Sequence, residues 1–281
     1  LFKTDLKENV NIAANMYRSK NAVLIIDMQE DFVNPRGALP VNGAVEDSER
    51  LAEFIKKNKN EIDHIVCSID NHHMIDISHP SFWHDKNGNN PLPFTGIETD
   101  FLQQVRDGVW IPKYYPQEAV KYLEDLKLQN EFSHVIWPFH CIISSPGSAI
   151  VEIISNSINE WENLGNFKEI IYKGSNPLTE HFGIFCAQVI IQDSVETQLN
   201  YNIIKNLEEY DNIYLAGEAR DFCVSATLKQ AIKYAPTLAK KFIIMEDCMS
   251  NVVKNNQSSN AFYDNLKKTG IKFVKISDNI L

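Results

Sequence analysis

Nowhere in these 281 residues does an apolar run approach the ~20 residues needed to cross a bilayer, so a membrane-spanning helix is excluded. Positive charge is also short. Lys and Arg number 27 against 37 Asp and Glu, and the net charge of −10 argues against nucleic acid or an anionic membrane as a partner. Cysteine is sparse and odd in number: Cys67, Cys141, Cys186, Cys223 and Cys248 show no framework-like spacing. A disulfide scaffold is therefore not expected, and a reducing, cytoplasmic setting fits. Residues 1–20 lack an apolar core and a small-residue cleavage site, so no signal peptide is expected there. Internal repeats and low-complexity linkers are absent too, which excludes a solenoid or a tethered array. What remains, 44% hydrophobic and 23% charged, is an ordinary globular composition, long enough to bury a core without disulfides.

Short apolar runs alternate with helical periodicity along the chain. Ala22–Ile26 is continuously apolar, as a strand buried on both faces would be. Further strands are expected at 64–69, 134–137, 169–172, 213–216, 242–245 and 271–274. Helices are expected at 44–57, 149–158, 195–207, 223–234 and 260–268. This alternation predicts a single α/β domain: a mostly parallel central sheet flanked by helices on both faces, three layers in all. Residues 84–130 interrupt it. They hold two Pro-rich stretches and a helical pattern over 117–128, and read as an insertion over the site or at a subunit contact.

In parallel sheets, ligands bind beyond the carboxyl ends of the strands, so what each strand delivers there is informative. The runs deliver Asp27, then Asp70 and His72, then Pro138 to Cys141, then Lys173, and finally the turn from Gly217 to Cys223. Singly, each reads as a loop charge, and Cys223 as a small buried residue packing a turn. Together, a carboxylate, an ammonium and a thiol form a nucleophilic set. The Lys favours anions and the Asp can carry a proton. A thiol at a strand–turn–helix junction also meets amide N–H groups that stabilise a thiolate. Five of the eight histidines fall between 64 and 84. Asp70 and His72, two apart, point to one side of an extended segment, and His140 could add a third ligand. Such a set leaves coordination positions open, as in a working metal site.

The ordered motifs Leu24-Ile-Ile-Asp-Met-Gln-Glu-Asp-Phe32, Asp70-x-His72, Trp137-Pro-x-His-Cys141, Lys173-Gly174 and Gly217-x-Ala-x-Asp-x-Cys-Val224 resemble those of the isochorismatase-like cysteine hydrolases. Within that family the chain looks most like the nicotinamidases, and the motifs span nearly the whole chain. The resemblance implies a Rossmann-like three-layer fold and a catalytic triad of Asp27, Lys173 and Cys223. It implies that Asp70, His72 and His140 bind one divalent metal, zinc foremost, with manganese or iron as alternatives. Phe32 and Trp137 become the aromatic walls of the substrate pocket. The Glu218–Ala219 bond matches a family cis peptide that aims the Ala219 and Cys223 amides into an oxyanion hole.

The implied activity is hydrolysis of nicotinamide to nicotinate and ammonia through a Cys223 thioester. The alternatives are another small amide or N-carbamoyl substrate, or a catalytically silent binding protein on the same fold. A small-molecule amide partner and a homo-oligomer are expected. The chain departs from compact nicotinamidases at Glu218, where they carry an aliphatic residue, at Arg220, where they carry Thr, and at Phe182, often Tyr. Its Asp-x-His spacing to the next histidine is stretched, leaving His73 and His79 open as a fourth ligand. These departures and the insertion place it nearer the longer members.

Overall fold

The computed structural model describes residues 18–278. In chain order the strands are β1 (Asn21–Ile26), β2 (His64–Asp70), β3 (Trp83–His84), β4 (Ile111–Pro112), β5 (Glu169–Lys173), β6 (Asn212–Gly217), β7 (Phe242–Met245) and β8 (Lys272–Val274). Six of them form one sheet in the order β5-β2-β1-β6-β7-β8, with every neighbouring pair parallel. Strands β3 and β4 make a separate short antiparallel ladder.

β1 lies at the centre, and its six residues Asn-Ala-Val-Leu-Ile-Ile are all buried. Successive strand residues point to opposite faces, so burial of every one means that both faces are covered. Truncating Leu24 or Ile25 to Ala is expected to cost ~2–5 kcal/mol. From β1 the chain winds outward through β2 and β5, then returns to the other side of β1 for β6. That reversal puts the carboxyl ends of β1, β2, β5 and β6 around one crevice, where open α/β sheets place their ligands.

Helices follow the apolar periodicity. The helix Ala44–Asn58 buries Leu51, Ala52, Phe54 and Ile55, and packs on the helix Glu152–Glu162, which buries Ile154, Ile158 and Trp161. The Trp161 indole donates to the Ile62 carbonyl at 2.9 Å, so its one polar group is satisfied inside the core.

Three expectations about elements are corrected. Residues 134–137 are not a strand of the sheet. The Ile136 N–H goes to the Thr95 carbonyl at 2.9 Å and the Trp137 N–H to the Ser78 carbonyl at 2.7 Å, so loops take the backbone groups a strand would have paired. The place beside β2 belongs to β5. The helix expected at 149–158 starts later, at Glu152, because the stretch before it is extended: Val151 N–H donates to Met28 at 2.9 Å and Ala149 accepts from Glu30 at 2.9 Å. The pattern over 195–207 splits into a 3-10 turn, Val195–Thr197, and a helix, Tyr201–Leu207. The Asn200 side chain caps that helix by accepting from Ile203 N–H.

Residues 84–130 carry the helices Phe101–Arg106 and Pro116–Gln129 and strand β4. They are not free-standing. Phe101, Leu102, Tyr122, Leu123 and Leu126 share a second apolar cluster with Phe82, Trp83, Ile136 and Val189, lying outside the segment.

Candidate active site

Asp27 follows β1 with a φ of 47°, a left-handed conformation in which the end of the strand turns. Its backbone N–H donates to Ser68 Oγ at 3.1 Å, and the same hydroxyl donates to Asp27 Oδ1 at 2.5 Å. The other carboxylate oxygen, Oδ2, is 2.8 Å from Lys173 Nζ. Lys173 ends β5, and its ammonium also reaches Asp70 Oδ1 at 3.0 Å and Cys223 Sγ at 3.6 Å. The structure thus brings Asp27, Lys173 and Cys223 together, with Asp70 against the same ammonium. Gly174 is required here: its φ is 82°, and a Cβ would stand 2.8 Å from Asp70 Oδ1.

Burial pushes the Asp27 carboxyl above its ordinary value, while the Lys173 ammonium opposes it. Burial works against the charged form of Lys173, yet Asp27 and Asp70 hold its pKa well up. The Cys223 thiol is also pushed well up, first by burial, with Lys173 pulling down and Asp27 pushing up. Lys173 thus favours the thiolate, as expected, while burial and Asp27 oppose it.

Asp70 at the end of β2 is fixed through its main chain: its N–H donates to Gln29 Oε1 and its carbonyl accepts from Gln29 Nε2, both at 2.8 Å. His72 exchanges backbone bonds of 3.0 Å with Cys141 and Ile143, which brings His140 alongside. Ligand atoms of Asp70, His72 and His140 all lie within 4.8 Å of one another. His72 Nδ1 faces Asp76 Oδ2 at 3.1 Å, and His140 Nδ1 faces the Pro138 carbonyl at 2.8 Å. Both Nδ1 atoms are therefore committed to outward acceptors, and both Nε2 atoms turn to Asp70 Oδ2, at 3.0 and 3.5 Å. This is the arrangement in which an outer acceptor sets the tautomer of a metal-ligating imidazole. Charge agrees: Asp27, Asp70 and Asp76 are buried with Lys173 as the ammonium among them, a deficit that a divalent cation balances. The donor set of one carboxylate and two imidazoles fits zinc, manganese or iron.

His79, left open by its spacing, packs its ring 5.1 Å from that of His72 and 5.5 Å from that of His140. Its Nε2 is buried without a partner among the described residues. His73 instead supplies a carbonyl facing His79 Nδ1 at 3.2 Å.

Gly217 closes β6 with a φ of 127°, and a Cβ there would collide with the Ile26 carbonyl. The Glu218–Ala219 bond is cis. A π-helical turn, Arg220–Val224, then carries Cys223 into the helix Ser225–Tyr234. Phe32 packs edge-on against the His140 ring at 5.4 Å, and Trp137 against Phe222 at 4.9 Å. Arg220 turns away. Its guanidinium stacks 4.0 Å over the Tyr263 ring and bonds Ser259 Oγ at 3.2 Å and Asn260 Oδ1 at 3.1 Å.

Three participants were not singled out in the sequence. Ser68, two residues before Asp70 and thus on the same side of the strand, carried a findable signal. Asp76, four after His72, and Phe222 beside the thiol carried none.

These elements define an isochorismatase-like hydrolase fold. The particular proteins the chain is similar to are nicotinamidases. That of Saccharomyces cerevisiae is 23% identical over 254 residues, covering 90% of this chain and 98% of that one. The structure of a yeast nicotinamidase bound to the inhibitor nicotinaldehyde superposes with a TM-score of 0.62 at 21% identity, over 91% of this chain and 99% of that one. The pyrazinamidase of Pyrococcus horikoshii in complex with zinc gives 0.52 at 22% identity, over 91% and 99%. No protein-family model matches the chain.

Proposed function

We propose that this protein is a metal-dependent cysteine amidohydrolase whose substrate is nicotinamide. The observation that carries the reading is the Lys173 ammonium, within 3.6 Å of Cys223 Sγ and 2.8 Å of Asp27 Oδ2 at the ends of three strands. The similarity to nicotinamidases supports the substrate.

In this reading the Cys223 sulfur attacks the carboxamide carbon as its proton passes to Asp27, whose buried carboxyl has the raised basicity the task needs. The Ala219 and Cys223 N–H groups receive the oxyanion. Each such donor is worth ~2.7–4 kcal/mol. Among the described residues the Ala219 N–H has no other acceptor, which leaves it available. Asp27 returns the proton to the departing nitrogen, ammonia leaves, and a thioester remains on Cys223. Asp27 then takes a proton from water as its oxygen attacks the thioester carbon, and the acid product departs with the thiol restored. Lys173 holds Asp27 in place and offsets its charge throughout. A divalent ion held by Asp70, His72 and His140 would supply a Lewis acid that ligates a ring nitrogen and so positions the ring. Phe32 and Trp137 would wall the ring in this reading.

Ammonia release measured over a panel of small amides, with metal analysis of the same sample, tests the reading. Nicotinamide turnover that disappears in Cys223→Ala is expected. A wild-type enzyme inert on nicotinamide but active on an N-carbamoyl compound would replace the substrate and keep the chemistry.

A further inference from the structure

Glu218 is fully buried, and the mechanism above does not use it. It occupies a position where an apolar side chain would need no partner. Its Oε2 accepts the Ser250 N–H at 3.1 Å, its Oε1 is buried without a partner among the described residues, and the charge of the buried Asp47 acts on it. Asp47 sits in the first turn of the helix Ala44–Asn58 and already receives Arg50 Nη2 at 2.6 Å and Ser250 Oγ at 2.5 Å. Arg50 is itself tied to the Asp247 carbonyl at 2.5 Å. The network therefore joins one helix, the loop 247–250 and the turn leading to Cys223.

We propose that Glu218 is a positioning residue for the oxyanion hole: its side chain, anchored on the Ser250 N–H and through Ser250 to Asp47, fixes the peptide that presents the Ala219 N–H. Both flanks of Ala219 are anchored. On one side Gly217 N–H donates to Cys248 at 3.0 Å and Glu218 N–H to Ile26 at 2.8 Å. On the other, Arg220 N–H donates to the Ser250 carbonyl at 2.8 Å. Glu218 adds the side-chain anchor, and it grips the residue whose carbonyl holds Arg220. Ser250 is thus bonded from both flanks, so the amide between them has little freedom to swing.

The chemistry of the pair requires one proton. Two carboxyl groups that feel one another's charge away from water do not both ionise. Arg50 and the Ser250 hydroxyl give Asp47 the donors a carboxylate needs, and Glu218 has a single N–H, so the proton resides on Glu218. Burial and the Asp47 charge push the Glu218 carboxyl well up, in agreement. A neutral acid still accepts from the Ser250 N–H, and it adds no negative charge behind a developing oxyanion.

This inference rests on the proposed amide hydrolysis, and its test separates the two. Glu218→Gln retains the acceptor for the Ser250 N–H in the same shape, whereas Glu218→Leu keeps bulk and removes it. In the metal-loaded full chain, the Gln variant is expected to keep kcat within about threefold. The Leu variant should lose ~10- to 100-fold in kcat with KM and metal content little changed, because a reacting contact is misplaced rather than lost. An infrared difference spectrum, wild type minus Glu218→Gln at neutral pH, should show a protonated carboxyl band. Carboxylate bands in its place, equal losses in both variants, or an unimpaired Leu variant would overturn the proposal while leaving the hydrolase reading standing. A Leu variant that does not fold leaves the decision with the Gln variant and the spectrum. A wild type that hydrolyses no amide removes the reaction itself, independently of where the proton sits.

Discussion

Lys173 and Asp70 meet at 3.0 Å, and through that contact the nucleophilic set and the metal-ligand set become one charge network. Asp70 gives Oδ1 to the ammonium and Oδ2 to the two imidazoles, His72 and His140. Substitutions at its two ends should therefore read differently.

Asp27→Asn retains shape and removes the proton acceptor. Its kcat is expected to fall ~10²–10⁴-fold with metal content unchanged. Asp70→Asn should lose metal and lower kcat as well, since Lys173 loses one of its two carboxylates. Elemental analysis beside steady-state kinetics separates the cases. Equal metal loss in both variants would show that the two sets are not divided as described.

The thiol supplies a second expectation. With its pKa pushed up by burial and by Asp27, Cys223 should react slowly with iodoacetamide at neutral pH and faster as pH rises. Asp27→Asn removes one of the charges opposing ionisation, so the alkylation profile should move to lower pH. A fully reactive thiolate at mild pH in the wild type would contradict the electrostatics of this pocket. Cys223→Ala should abolish turnover and leave the thermal transition and the metal in place.

Metal removal tests the substrate. Nicotinamide and benzamide share a planar carboxamide and similar ring faces, and differ at a ring nitrogen able to ligate a metal. Sites built around one polar contact can reject an analogue lacking it by up to ~10⁴–10⁵-fold. A preference for nicotinamide of at least ~10²-fold in kcat/KM is expected, most of it vanishing in the metal-free protein. Equal turnover of both amides by the metal-loaded enzyme would show that the ring nitrogen is not read.

Glu180 governs a pH effect on stability. It is buried, with its Oε1 unpartnered among the described residues, and burial raises its pKa from 4.5 to about 8. A carboxyl raised on folding contributes stability that is fully present below its unfolded pKa and lost as pH rises through the folded one. Glu180→Gln should therefore gain in melting temperature relative to wild type above pH ~8, and show little gain near pH ~4. A difference constant across that range would place the effect elsewhere.

Much of the arrangement was legible along the chain. Ala22–Ile26 is apolar at every position because both faces of β1 are covered, and Asp27, itself buried, follows where the strand ends. Lys173-Gly174 and Gly217 are equally local, each glycine supplying a backbone angle that side chains rarely adopt. Spacing alone put Asp70 and His72 on one side of a strand.

Other features depended on which distant segments meet. Residues 134–137 have the composition of a strand, yet loops around Ser78 and Thr95 take their backbone bonds while β5 takes the place beside β2. Arg220, a departure from the compact nicotinamidases, is held by Tyr263, 43 residues on, which stacks against it. Sequence by itself determined the six strands of the central sheet and the kinds of groups delivered to their ends, since backbone propensity and apolar periodicity act over a few neighbours. Tertiary structure alone decided that Lys173 is shared between Asp27 and Asp70, that Ser68 holds Asp27, and that burial pushes the Cys223 thiol up against the pull of Lys173. Those outcomes are sums of desolvation and Coulomb energies over groups far apart in the chain, and such sums exist only once the chain is folded.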